Sequence, residues 1–166
     1  MKKIVLIGFA ATYKSSVGKL LSEKLNLPHV DTDDVLQTNA RQTIQQIFDT
    51  HGEQAFRRAE NDLIGQLCTQ DNVVISCGGG SVLASNFTEL AQNAVVVWLT
   101  ATAQTIKSRL GTPARPLFDG LTESQLQQYV DSRTLHYQQY ANVCLPTDGL
   151  SSTQVAQQLY ELIIDV

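Results

Sequence analysis

Short, wholly apolar runs alternate along this chain with segments whose apolar residues recur every three to four positions. Ile4–Ile7, Asn72–Ser76 (NVVIS) and Ala94–Leu99 (AVVVWL) read as strands buried on both faces. His29-Val30-Asp31 and Asn142–Leu145 (NVCL) read as two further short strands. Between them the helical period predicts a helix over Lys14–Leu25, stopped by Asn26-Leu27-Pro28, and two short helices within Val35–Thr50. Gly52 opens a longer helix to about Cys68, with Phe56, Leu63, Ile64 and Leu67 on its apolar side. Helices follow over Phe87–Gln92, Thr102–Leu110 and Thr122–Tyr140. A last one starts at Ser151 and buries Val155, Leu159, Leu162 and Ile163. Thr122…Gln125 and Ser151…Gln154 have the spacing of reciprocal capping boxes. This order predicts an α/β fold whose parallel sheet has helices on both faces. No linker or repeat interrupts it, so one domain over 1–166 is expected.

Composition narrows the function. Hydrophobic residues are 43% and charged residues 17%, with a formal net charge of -4. A dedicated binder of nucleic acid or of membrane surfaces would show a basic stripe instead. A small anionic ligand needs only a local cluster of Arg and Lys. Cys68, Cys77 and Cys144 lack CxxC spacing and read as small buried hydrophobes in a reducing cytoplasm. No metal-ligand cluster stands out. Met1-Lys2-Lys3 and the apolar run after it are too short for a signal peptide.

In a doubly wound sheet, ligands sit beyond the carboxyl ends of the strands. The residues after each predicted strand are therefore the informative ones. After the first comes Gly8…Lys14-Ser15, followed by a helix, the layout of a phosphate-binding loop. Tyr13 stands where the pattern G-x-x-x-x-G-K-[ST] has its second glycine. A nest of backbone N–H groups uses residues at positive φ, where a Tyr costs about 1–2 kcal/mol. The stretch alone therefore also fits a first strand with no phosphate site. After the second strand come Asp31 and Asp33, which share a side if the chain stays extended; a helix N-cap explains the same run. Beside a phosphate loop, one carboxylate suits a water-mediated Mg²⁺ contact and the other suits a general base. After the third strand come Gly78, Gly79 and Gly80, fitted to close approach of backbone to a ligand. Arg57 and Glu60 are i, i+3 on the long helix, so Glu60 can orient Arg57.

Lys14-Ser15-Ser16-Val17-Gly18-Lys19-Leu20-Leu21, Asp31-Thr32-Asp33, Gly52-Glu53-Gln54-Ala55-Phe56-Arg57-Arg58-Ala59-Glu60, Gly78-Gly79-Gly80, Arg115-Pro116-Leu117 and Arg133 with Tyr137 follow one another in the order of the shikimate kinases. The resemblance covers essentially the whole chain. It implies transfer of the γ-phosphate of ATP to the 3-hydroxyl of shikimate, in the cytoplasm, on the way to chorismate and the aromatic amino acids. It implies a P-loop kinase fold with a five-stranded parallel sheet, a lid near 111–121 and a substrate-binding region near 32–60. Asp33, Arg57, Gly79 (with Gly78 and Gly80) and Arg133 would bind shikimate, and Asp33 would also be the base. Gly8 and the backbone of Ala11, Thr12, Tyr13, Lys14, Ser15 and Ser16 would form the nucleotide loop. Lys14 would bridge the β- and γ-phosphates. Ser15 directly, and Asp31 through water, would place Mg²⁺. Arg115 in the lid would stabilise transferred charge, and Arg109 would lie against the adenine. A monomer is expected, with neither nucleic acid nor membrane as a partner.

The departures from this family fall in one loop, where Ala11 and Tyr13 replace glycines. An active kinase is the leading reading, since Lys14, Ser15, Asp31 and Arg115 are all kept. A ligand-binding relative without catalysis and a kinase of another small hydroxylated acid are the competing ones.

Overall fold

The computed structural model describes residues 3–111, 118 and 120–164. Strands β1 (Lys3–Ile7), β2 (His29–Asp31), β3 (Val73–Ser76), β4 (Val95–Thr100) and β5 (Val143–Pro146) form one sheet in the order β2-β3-β1-β4-β5. Every pairing is parallel. Helices α1 (Lys14–Leu25) and α7 (Ser152–Ile163) cover one face. Helices α2 (Thr32–Ala40), α3 (Ile44–Cys68), α4 (Phe87–Gln92) and α6 (Glu123–Tyr140) gather on the other, while α5 (Ala103–Leu110) packs against α6.

The unbroken apolar run of β1 follows from this layering. Val5 and Ile7 join the cluster of Phe56, Ile64, Leu67 and Phe87, whereas Ile4 and Leu6 join Val17, Leu21, Val155 and Leu159. At the start of β1, Lys3 is 2% exposed; its Nζ donates to the carbonyls of Leu67 (3.1 Å) and Cys68 (2.7 Å). A buried cation thereby terminates α3, where orphan carbonyls and the helix dipole favour positive charge.

The expected elements are present, with four differences, one being that Leu162, expected on the buried face of α7, is exposed. Helix α2 begins at Thr32 rather than near Val35, because Asp31 caps it. The helix expected from Gly52 continues from an earlier segment that starts at Ile44, with a kink at Gly52 (φ 80°, ψ 169°). Cys144 is exposed, unlike buried Cys77, because β5 is the sheet edge and its side chains alternate outward. Both expected capping boxes form, and Thr43–Gln46 forms a third. Among the described residues no helix is long and apolar enough to cross a membrane.

Candidate functional site

β1 lies between β3 and β4, so the chain leaves its carboxyl end where connections diverge to the two sides of the sheet. That end carries the loop from Gly8 to Ser15. Gly8 has φ 144°, and a Cβ there would lie 2.3 Å from the Leu99 carbonyl oxygen, which excludes any side chain. Within the loop Ala11 (φ 58°) and Tyr13 (φ 70°) are left-handed, and Tyr13 is the N-cap of α1. These are the two positions where glycines were expected. The chain keeps the left-handed turns without the residues that adopt them freely, at about 1–2 kcal/mol each.

Local bonds hold the loop. Thr12 Oγ1 donates to Phe9 O at 2.8 Å, and Lys14 Nζ to the same carbonyl at 2.6 Å. Ser76, at the end of β3, donates to Lys14 O at 2.8 Å. His29 Nε2 lies 2.9 Å from Ser76 Oγ and, since the hydroxyl proton is already committed, donates to it. Burial pushes the His29 pKa below its ordinary value, against the pull of Asp31 and Asp34. Arg109, near the end of α5, donates to Ala11 O (3.1 Å), Thr147 Oγ1 (2.8 Å) and Thr147 O (2.6 Å). Its guanidinium carbon sits 3.8 Å from the centre of the Tyr13 ring.

Gly18 lets α1 reach this corner. A Cβ there would lie 2.2 Å from Ser76 Oγ and 2.5 Å from His29 Nε2. Gly18→Ala is expected to destabilise the fold by about 1–3 kcal/mol through overpacking. It should also loosen the loop, because Ser76 would release the Lys14 carbonyl. Denaturant unfolding and amide hydrogen exchange of the loop check the two parts.

Asp31 and Asp33 do not share an extended segment. Asp31 is the last extended residue (φ -99°, ψ 118°), and its Oδ1 accepts from the N–H groups of Asp33 (3.0 Å) and Asp34 (3.3 Å). Its Oδ2 accepts from Ser15 Oγ. Capping thus uses one oxygen of this carboxylate, and the other meets Ser15. Asp33 sits in the first turn of α2, brought to the cleft by the helix rather than by strand alternation.

The cleft has a volume of about 730 Å³. Ser15, Asp31, Asp33, Gly78–Gly80, Arg57 and Arg133 all line it. Phe48 and Phe56, with ring centroids 4.8 Å apart, supply an apolar wall. Arg57 is held as expected: its Nη1 donates to Glu60 Oε2 at 2.7 Å, and Glu53 adds a longer contact at 3.6 Å. Arg58 points to solvent. Arg133 Nη1 is buried and has no hydrogen-bond partner among the described residues.

The three glycines differ in their reasons. A Cβ on Gly78 would lie 2.7 Å from Asp33 Oδ1, and one on Gly80 would lie 2.6 Å from Arg57 Nη1. Both glycines thus leave room for the ends of these site side chains. Gly79 has no atom within 3.7 Å of such a Cβ. Its carbonyl accepts from Tyr137 Oη at 2.7 Å.

Residues not singled out from the sequence support these. Thr32, fully buried, accepts from the Gly78 N–H at 2.9 Å. Ser81, also fully buried, donates to Glu60 Oε1 at 2.8 Å. Their signal was a hydroxyl beside each motif, which has no spacing of its own. Thr112–Leu117 and Asp119, with Arg115 and most of the expected lid, lie outside the described residues.

Ser15 Oγ and Asp31 Oδ2, bonded to each other beside the α1 N-terminus, are hard oxygen donors with one negative charge. That set fits Mg²⁺, which takes one or two protein oxygens and completes its shell from phosphates and water. No group of three or more His, Cys, Asp or Glu that could hold a metal exists among the described residues.

Comparison with known proteins gives concordant results. The family model for shikimate kinase matches residues 11–164. Curated relatives include the shikimate kinase of Symbiobacterium thermophilum, 36% identical over 95% of this chain and 94% of the relative. That of Thermodesulfovibrio yellowstonii is also 36% identical, over 96% and 93%. Among solved structures, shikimate kinase from Acinetobacter baumannii in complex with shikimate superposes with a TM-score of 0.91 at 27% identity, covering 99% of this chain and 94% of that one.

Proposed function

The chain belongs to the shikimate kinase family, and from that premise we propose that it transfers the γ-phosphate of ATP to the 3-hydroxyl of shikimate. The observation that carries this is one cleft that brings Ser15, Asp31, Asp33, Arg57 and Arg133 together. Of the carboxylates lining it, we assign Asp33 to take the acceptor's proton.

Arg133 and Arg57 would clamp the shikimate carboxylate, the fork of each guanidinium matching its two oxygens. The unpartnered Nη1 of Arg133 supports this, because a buried donor without an acceptor is costly until a ligand supplies one. The Phe48–Phe56 wall would pack the ring. Asp33 would then accept the hydroxyl proton as the acceptor oxygen attacks the γ-phosphorus. The bond from that phosphorus to the bridging oxygen breaks, and ADP leaves.

Lys14 would move from Phe9 O to the β- and γ-phosphate oxygens. Ser15 and Asp31 would hold Mg²⁺, which neutralises phosphate charge when bound with the nucleotide. Arg115, from a lid over 111–121, would close onto the phosphates. We assign the whole of 1–166 to one kinase domain, acting as a cytoplasmic monomer.

Purified protein given ATP, Mg²⁺ and shikimate is expected to form shikimate 3-phosphate and ADP in equal amounts, read by mass spectrometry. No product overturns the reading. The left-handed Ala11 and Tyr13 favour one alternative, a binder with a lost donor site. It predicts shikimate binding by calorimetry with no ATP binding.

A further inference from the structure

We propose that Arg109 is a positioning residue for the phosphate loop, a brace that holds the two left-handed non-glycine residues in shape. The proposal rests on the donor-site reading above and deepens it. Among the loop's residues Ala11 and Tyr13 are the non-glycines at positive φ. Arg109 grips both, Ala11 by its carbonyl at 3.1 Å and Tyr13 by its ring at 3.8 Å.

The other side of the brace is anchored in the sheet. Arg109 donates to both oxygens of Thr147, which is fully buried. Thr147 is itself tied to Thr100, the end of β4, by its N–H (2.9 Å) and by its hydroxyl (2.8 Å) to the same carbonyl. The load path therefore runs from β4 through Thr147 and Arg109 to the loop. The guanidinium suits the task because it is planar: it stacks flat on an aromatic face while its edge N–H groups bond in plane. A lysine cannot do both. A loop with glycines at these positions offers no ring to stack on and needs no such support. The ring of Tyr13 is thus half of the compensation for the residue's own backbone conformation.

The test separates a brace from a direct nucleotide contact. Inorganic tripolyphosphate reports on the loop without a base, and calorimetry of the full chain measures its binding. Arg109→Lys is expected to weaken tripolyphosphate binding by about tenfold or more. In a Tyr13→Gly background the same change should cost less than about threefold, because the loop no longer depends on the brace. Tyr13→Phe keeps the ring and should keep the full sensitivity to Arg109→Lys. Shikimate affinity should stay within about twofold throughout, since its site is separate.

Equal losses in both backgrounds overturn the proposal, as does a loss for ATP without one for tripolyphosphate, which would place Arg109 on the base. Parallel loss of shikimate binding would mark a general structural role and overturns it too. If the unaltered protein binds shikimate but neither tripolyphosphate nor ATP, the donor-site reading fails and the brace fails with it. Binding by the unaltered protein without Arg109–Tyr13 coupling removes the brace alone.

Discussion

Asp33→Asn is expected to lower kcat by about 10²–10⁴-fold, the range for removing a positioned general base. The amide is the same size and shape as the carboxylate but has no basic oxygen for the acceptor's proton. The backbone of Asp33 is held independently of its side chain, since its N–H donates to Asp31 Oδ1. The first turn of α2 should therefore persist. Gly78 also gives the side chain at 33 room, because a Cβ there would be 2.7 Å from Asp33 Oδ1. Shikimate KM should change far less than kcat, and the unfolding midpoint should hardly move. Steady-state kinetics with each substrate varied would show the split. A kcat within a few-fold of the unaltered protein would take the base role from Asp33. The same change at Asp31 differs in kind. Its carboxylate caps α2 and accepts from Ser15, so Asp31→Asn should lower stability as well as activity.

That contrast shows what the sequence could and could not reveal. Each element with a local cause was legible. The apolar run Ile4–Ile7 dictates a strand with two buried faces, and Ser151 with Gln154 dictates a helix start. Arg57 and Glu60 met because three residues along a helix bring side chains together. Asp31 was legible only as two readings, cap or ligand. The two do not exclude each other, because capping occupies one oxygen and the other meets Ser15. Contacts between distant segments left no local trace. Nothing near Tyr13 announces Arg109, and nothing near Gly78 announces that Thr32 accepts a hydrogen bond from its amide. The glycine triplet was read as an approach to a ligand. Two of its members also make room for Asp33 and Arg57, a reason that exists only once three segments converge. The phosphate loop carries the same lesson. Its missing glycines were visible, but the left-handed conformation kept without them was not.

The second large effect separates the two arginines. Arg133→Ala is expected to raise the shikimate KM by about 10²–10³-fold, since a bidentate charge-assisted pair contributes about 3–4 kcal/mol. ATP KM should stay nearly constant. Folding stability should hold or rise slightly, because the change removes a buried Nη1 that no acceptor among the described residues satisfies. Arg57→Ala should raise the shikimate KM comparably but also destabilise the fold, by about 1–3 kcal/mol. Glu60 is 2% exposed, and without Arg57 it would keep only the Ser81 hydroxyl as a hydrogen-bond donor among the bonds described. Arg57 is itself one-third exposed (34%), so water screens part of the pair and the loss stays below that of a fully buried one. Kinetics and chemical denaturation of both variants give four numbers, and the pattern matters more than any one of them. If Arg133→Ala lost stability and left the shikimate KM unchanged, its guanidinium would be a structural group and the carboxylate end of the cleft would lie elsewhere. The expected pattern is the reverse. One arginine is held by the protein before the substrate arrives, and the other has a buried donor that the substrate's carboxylate would satisfy.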